Sequence, residues 1–370
     1  MIPETMFGVQ LVGHGGPEQL VWRNDLPTPQ PKAGEVLVRV SAAGVNNTDI
    51  NTRLGWYAKT VTAATNAVSG EINADGGWGG ALQFPRIQGG DLCGEVVALG
   101  DGVSSPEIGK RVTCALNQPI EKSGAPVYFE ALGSERDGAF AQYCCVSADQ
   151  LFDVSESPLT DIEIGAMPCA YGTALNLLTR SQVNDDDRVL VTGASGGVGL
   201  ATVQLARQKG ARVTAIAAAP KADAVLAAGA QSVLDRDASL PKEDFTVVID
   251  IVGGGQFGKF LDALCPGGRL ATSGAIAGPM AEVDLRTLYL KDLTVFGCTY
   301  QSREVFRALV SLINSGSLQP LVSKVYPLKD IARAQTDFMT KRYPGKLVLR
   351  PFLEPTDGRA RYNVSQSLIR

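Results

Sequence analysis

The stretch VTGASGGVGLATVQLA, residues 191–206, sets four glycines (Gly193, Gly196, Gly197 and Gly199) between a β-like run and a helix-like run. The uncharged segment from Val189 to Ala206 approaches transmembrane length. Its glycines nevertheless cluster at one turn, where the apolar pattern changes from strand-like to helix-like. Strand, tight turn and helix follow in that order. At the first such unit of a parallel sheet, glycines let the backbone approach a pyrophosphate, and the helix N-terminus presents unpaired N–H groups and a positive dipole end. In the G-x-G-x-x-G register the three positions are Ala194, Gly196 and Gly199. A glycine-rich string alone is weak evidence, since it also makes tight structural turns. Its place after DRVLV and before LATVQLARQKG points to a dinucleotide site.

The units that follow support this. DRVLVTGA, a helix to Lys209, ARVTAIA, a helix with KADAVLAAGA, QSVLD, FTVVIDIVG, a helix from Phe257 to Leu264, GRLATSGA and LTVFGCT alternate along the chain. Several of the strands are nearly all apolar, which indicates a parallel sheet covered on both faces. The expected class is α/β, with a Rossmann-type doubly wound parallel sheet over residues 156–300. Residues 1–155 read instead as short strands between Gly, Pro and Asp clusters (EVLVRVSAAGV, GEVVALG, KRVTCAL, FAQYCCVSA), a mainly β and barrel-like domain. Thr160-x-x-Glu163 is a capping box that opens a helical run to about Arg180. Residues 301–352, a helix and two β-like pieces, are expected to return to the first domain, and 353–370 form a polar tail.

Which dinucleotide binds depends on the end of the next strand, where an acid would hold the ribose 2′-hydroxyl of NAD. The segment there is Ala217-Ala218-Ala219-Pro220-Lys221, with no acid before Asp223. Lys221, reinforced by Arg236, suits a 2′-phosphate and favours NADPH; both are otherwise ordinary solvated charges. A formal net charge of −4 argues against a nucleic-acid partner. Seven scattered cysteines without a C-x-x-C pair signal neither a disulfide framework nor a zinc knuckle. With an N-terminus unlike a secretory signal, the expectation is a cytoplasmic protein with no membrane partner.

Together the motifs AAGVNNTDI (42–50), GGDLCGEVVALGDGVSSPEIGKRV (89–112), GAFAQY (138–143), GASGGVG (193–199), GAQSVLD (229–235) and GKLVL (345–349) resemble the medium-chain dehydrogenase/reductase superfamily. The resemblance implies that the first domain is a GroES-like catalytic domain. Zinc alcohol dehydrogenases of that family carry Cys and His where this chain has Asn46 and Gly90, and the third ligand position matches Cys169. One thiolate does not make a three-ligand catalytic zinc site. His14 is the sole histidine, so a His-centred relay or triad is not expected either. The pattern is similar to the zinc-independent quinone oxidoreductase branch, which uses NADPH. This implies Asn46 beside the nicotinamide and Thr173 near its ribose. It also implies Ser195, Gly196, Gly197 and Val198 on the pyrophosphate, and Lys221 on the 2′-phosphate. Ala218, Val252, Gly274 and Ala275 would line the rest of the groove, and Lys346 would reach it from the C-terminal segment.

Without a metal to polarise a simple ketone, acceptors that spread negative charge by conjugation are favoured, namely quinones and α,β-unsaturated carbonyl compounds. Tyr57, in LGWY, matches the catalytic Tyr of related enoyl-thioester reductases and is expected to donate a proton, with Asn46 orienting substrate or nicotinamide amide. The alternative is that Tyr57 only packs with Trp56 at a pocket wall. The insertion from Lys59 to Ala81 reads as a specificity element with Trp78 as an apolar contact, or as a surface or dimer loop. An enoyl-thioester reductase and a non-catalytic NADPH-binding protein are the competing readings. A homodimer is implied by family resemblance, through edge-to-edge pairing of LTVFGCT.

Overall fold

The structure, a computed structural model, describes residues 1–68, 76–120 and 128–352. Part of the Lys59–Ala81 insertion, residues 69–75, and the tail 353–370 lie outside the described residues. The chain begins with β1 (Thr5–Leu11), β2 (Leu20–Pro27), β3 (Glu35–Gly44) and helix α1 (Asn47–Leu54). Strands β4 (Arg86–Ile87), β5 (Cys93–Leu99), β6 (Arg111–Cys114), β7 (Asn117–Ile120), β8 (Tyr128–Ala131), β9 (Tyr143–Ser147) and β10 (Leu151–Asp153) complete the first half. The second half holds α2 (Asp161–Gly165), α3 (Pro168–Arg180), β11 (Arg188–Val191), α4 (Gly197–Gln208), β12 (Arg212–Ile216), α5 (Ala222–Ala227) and β13 (Ser232–Leu234). Then come β14 (Phe245–Asp250), α6 (Phe257–Ala263), β15 (Leu264–Thr272), α7 (Leu285–Leu290) and β16 (Thr294–Gly297). Helix α8 (Arg303–Asn314), β17 (Val322–Pro327), α9 (Ile331–Met339) and β18 (Lys346–Arg350) close the described chain.

The six parallel strands of the second domain run β13-β12-β11-β14-β15-β16, the doubly wound order whose reversal between β11 and β14 leaves a crevice at the strands' carboxyl ends. Successive side chains on a strand face opposite sides. Val189 and Val191 therefore join a core with α3 and α4, while Leu190 joins a second core with Phe260 and Leu261 of α6. Each such fully buried aliphatic side chain stabilises the domain by roughly 1.5–3 kcal/mol. Burial on both faces is why these strands read as unbroken apolar runs. Gly199 fits because a methyl there would strike the Gly193 carbonyl and Ala194 backbone, so helix α4 sits tight on the loop.

In the GroES-like domain the largest sheet runs β10-β6-β5-β3-β18-β17, with β9 also on β3. Strand β18 pairs antiparallel with β3, so the last described strand returns to the first domain. The return begins later than residue 301, however. Helix α8 turns Phe306, Leu309, Val310 and Ile313 into the core shared with α3 and α4. Its apolar stripe finds its complement there, and the crossing to the first domain starts at β17.

The expected helix from Thr160 to Arg180 is split. Thr160 and Glu163 do make the capping box, with the Glu163 carboxylate accepting the Thr160 N–H at 2.8 Å. Pro168 has no N–H to continue α2, and it opens α3 as a first-turn residue instead. Among the described residues no helix is long and apolar enough to cross a membrane.

Candidate active site

Helix α1 starts the site. Asn46 is its N-cap, and the Asp49 carboxylate accepts the Asn46 N–H at 2.7 Å. Gly55, at φ 66°, ends the helix in the left-handed conformation, turning Trp56 and Tyr57 back across it. The Trp56 N–H then donates to the Asn51 carbonyl at 2.8 Å.

Behind the cap lies a buried charge network. Lys346, 3% exposed, donates to Asn46 Oδ1 at 2.5 Å, to the Val45 carbonyl at 3.0 Å and to Asp91 Oδ2 at 3.0 Å. Asn46 Nδ2 donates to Asp91 Oδ2 at 2.9 Å and to the Gly44 carbonyl at 3.3 Å. Asp91 also accepts the Cys169 N–H at 2.6 Å, drawing the start of α3 into the same knot. Gly44 is required beside it, because a methyl there would strike Asp91 Oδ2 and the Gly165 carbonyl.

This arrangement alters two expectations. The Lys346 ammonium does not point into the cofactor groove but is turned inward to Asp91 and Asn46. Only its methylene stem runs past Gly197, at the start of α4. Both ends of the Asn46 amide are taken by protein partners, so Asn46 positions α1 and Lys346 rather than offering a free donor to substrate. The same geometry bears on zinc. Asn46 is locked to an ammonium, and Gly90 brings no ligand. Burial, with the charge of Asp91 acting in the same direction, pushes the Cys169 thiol up to about 12. Among the described residues no three His, Cys, Asp or Glu side chains lie together as metal ligands. The donor set does not fit a catalytic zinc.

Asp49 is pushed up to about 7 by burial. The bond from the Asn46 N–H opposes this, the charge of Asp91 adds to it, and that of Lys346 opposes it. Tyr57 donates from its hydroxyl to Thr48 Oγ1 at 3.1 Å, and burial raises its phenol to about 12, so it is a neutral donor at physiological pH. Its ring packs edge-on to Trp56 at 5.5 Å and stacks on Trp78 at 5.9 Å. Thr173 accepts weakly from Gln301 Nε2 at 3.4 Å.

On the cofactor side, Ser195 and Gly345 join the domains, the Gly345 N–H donating to the Ser195 carbonyl at 2.9 Å. The first-turn N–H groups of α4, from Gly197 and Val198 onward, have no partner within the helix. A side chain at Gly196 would meet only the Gly193 carbonyl, at 3.5 Å, leaving room for a phosphate. Val252 packs against Gly193, and Ala275 and Gly274 against Gly253 and Ile251, around the crevice. Asp250, fully buried, fixes this rim by accepting from Thr192 Oγ1 at 2.7 Å and from the Val252 N–H at 3.0 Å. Ala218 precedes the turn that carries Lys221, and the Lys221 N–H donates to its carbonyl at 2.9 Å.

At the far end the Lys221 ammonium donates to the Lys341 carbonyl, and burial and Arg236 lower its pKa. Burial and the charge of Lys221 also bring Lys341 down to about 8. Among the described residues no carboxylate forms a salt bridge with Lys221, Arg236 or Lys341, so three cations converge without an anion. The glycine loop and this cation cluster fit a phosphorylated dinucleotide. Lys341 escaped the sequence reading because it lies 120 residues beyond Lys221; the basic pair before the GKLVL motif was its only signal.

Two family models match the chain: an alcohol dehydrogenase GroES-like domain over residues 32–156 and a zinc-binding dehydrogenase over residues 197–315. The chain is 43% identical to a solved putative alcohol dehydrogenase from Sinorhizobium meliloti, covering 95% of this chain and 98% of that one at a TM-score of 0.84. It is 28% identical to an acryloyl-coenzyme A reductase of Metallosphaera sedula, over 88% of this chain and 95% of the relative. It is 27% identical to a quinone oxidoreductase of Mus musculus, over 94% and 98% respectively.

Two outcomes check the network. Lys346→Met leaves the buried Asp91 carboxylate without its cation partner, and is expected to cost about 3–5 kcal/mol in denaturant unfolding. The double substitution with Asp91→Asn should recover much of that loss. For Asp49, the folded state holds the proton more tightly than the unfolded chain, whose carboxyl titrates near 3.8. Its contribution to stability is therefore full below 3.8, is lost as pH rises to about 7, and changes no further above that. Asp49→Asn should remove this component from a stability-versus-pH series; an unchanged series would refute the raised value.

Proposed function

Because this chain belongs to the medium-chain dehydrogenase/reductase superfamily of oxidoreductases, we propose that it is an NADPH-dependent, zinc-independent reductase of quinones or α,β-unsaturated carbonyl compounds. The observation that carries this reading is Asn46, locked to Lys346 and Asp91 at the position where related enzymes have a zinc ligand. Bound NADPH supplies a hydride to the acceptor. The chain's own residues hold the cofactor and manage the proton. The N-terminus of α4, with Ser195, Gly196, Gly197 and Val198, receives the pyrophosphate. Lys221, Arg236 and Lys341 face the 2′-phosphate, whose charge relieves their mutual repulsion. Thr173, Val252, Gly274 and Ala275 border the nicotinamide end.

An acceptor that gains a hydride at one end of a conjugated system develops enolate charge at the other. Tyr57, protonated and hydrogen-bonded to Thr48, donates its phenolic proton there. Conjugation takes the place of a Lewis acid in stabilising that charge. An enoyl-thioester reductase is the second reading, favoured by the likeness to an acryloyl-coenzyme A reductase. The exposed edge of β16, beside exposed Leu285, Tyr289 and Leu290 of α7, supports a homodimer joined at that edge. Seven unpaired thiols suit a reducing cytoplasm.

Titration of the purified protein with NADPH and NADH tests the cofactor assignment. NADPH should bind at least about tenfold more tightly, as charge-assisted contacts to a phosphate are strong. Lys221→Ala should remove most of that preference; equal binding of the two cofactors by the parent protein would refute it. Tyr57→Phe should lower kcat on an enone by about 10²-fold or more with NADPH affinity unchanged. Normal turnover would assign Tyr57 to packing alone.

A further inference from the structure

Tyr57 belongs to a longer file of rings. Trp78 stacks on it at 5.9 Å and meets Phe129 edge-on at 6.1 Å, and Phe129 stacks on Tyr300 at 5.7 Å. The rings come from four separate places: the turn after α1, the insertion, strand β8 and the loop after β16. The last step crosses from the catalytic domain to the cofactor domain. All four rings are partly exposed, so the file forms a surface as well as a core.

That surface lies beside the reaction centre. Tyr57 is held by Thr48 on α1, and Tyr300 adjoins Gln301, which contacts Thr173. Burial of its ring and the nearby charge of Cys169 and Asp49 act on Tyr57 together, placing those groups close to one end of the file. Trp78 is anchored, its N–H donating to Ser134 Oγ at 3.3 Å and the next N–H, of Gly79, to Glu135 at 2.7 Å. On its other described side the insertion is tied down by Thr65. The Thr65 hydroxyl donates to Asn51 Oδ1 at 3.0 Å, and its N–H donates to the Ile276 carbonyl at 3.1 Å, across the cleft.

Among the described residues the charges around the file are of both signs. Glu130 follows Phe129 on β8, Glu135 holds Gly79, and the charge of Glu304 adds to burial in raising the Tyr300 phenol. Of the nearby cations, Arg136 is engaged by Glu35 and Glu130, Arg303 and Arg307 lie close enough to Glu304 to help hold its carboxyl down, and Lys59 stands exposed beyond Tyr57. A flat ring gains from offset or edge-on contact with these rings, which an open acyl chain cannot match.

We propose that Trp78, Phe129 and Tyr300 form the wall against which the acceptor lies, and that the acceptor is a planar conjugated ring, a quinone or aryl enone, rather than an open-chain acyl thioester. This rests on the reductase reading above and assigns its substrate class. The wall is a specificity element, and Tyr57 at its inner end is the group that meets the reacting atoms.

The test is steady-state NADPH oxidation with 1,4-naphthoquinone, but-3-en-2-one and crotonyl-coenzyme A, with NADPH affinity measured separately by cofactor fluorescence. Naphthoquinone should show a kcat/KM at least about tenfold above either open-chain acceptor. Trp78→Ala and Tyr300→Ala should each raise its KM about tenfold, leave kcat within about twofold, and lower its advantage over but-3-en-2-one by the same factor. Tyr300→Phe keeps the ring and should restore the KM, which separates a contact role from a folding defect. Crotonyl-coenzyme A turned over as well as naphthoquinone, or unchanged KM in both alanine variants, overturns the proposal while the reductase reading stands. If NADPH binds but no acceptor turns over, the reductase reading fails. Calorimetric titration of the NADP⁺ complex with naphthoquinone then decides the wall: ring binding weakened by Tyr300→Ala supports it, and absence of binding overturns it.

Discussion

The fully buried carboxylate of Asp91 accepts from Lys346 Nζ, from Asn46 Nδ2 and from the Cys169 N–H. The three donors belong to β18, the last described strand, to the cap of α1 and to the start of α3. An unpaired carboxylate at that depth would cost several kcal/mol, so each donor must stay in place. A buried ion pair is poor evidence for net stability, since desolvation offsets much of the attraction. Its effect here is positional: segments far apart in sequence are held to within hydrogen-bonding distance of one another.

Much of the site's geometry follows from that constraint. Lys346 carries its neighbour Gly345 to Ser195, bringing the returning strand against the glycine loop. The same return places Lys341 beside Lys221, completing a cation cluster that neither domain makes alone. On the other side, Asn46 caps α1, and the left-handed turn at Gly55 sends Tyr57 back toward Thr48. The glycine loop with its cation cluster and the turn that carries Tyr57 are thus both set by one short stretch of strand and one helix cap.

Several of these features were legible in the chain. The glycine loop, the alternation of strands and helices, and the Thr160–Glu163 box are local patterns whose physics acts within a few residues. The break at Pro168 is local too, although the apolar run across it reads as one helix. Helix α9 and the packing of α8 were harder to see. Both depend on which partner receives an apolar stripe, and α8 found its complement on α3 rather than in the first domain. Asn46 was visible as a departure from a zinc ligand, but its engagement with Lys346, 300 residues away, was not.

What the sequence determined by itself was the class of fold and the strand, glycine turn and helix unit, because residue type and short-range spacing suffice for both; the family resemblance added that two metal-ligand positions hold Asn46 and Gly90. Only the tertiary structure decided that Lys346 turns inward, that Lys341 joins Lys221, and that four separately encoded aromatic residues align in one file. Those outcomes depend on long-range contacts, in which a side chain settles where burial, charge and hydrogen bonding are satisfied together.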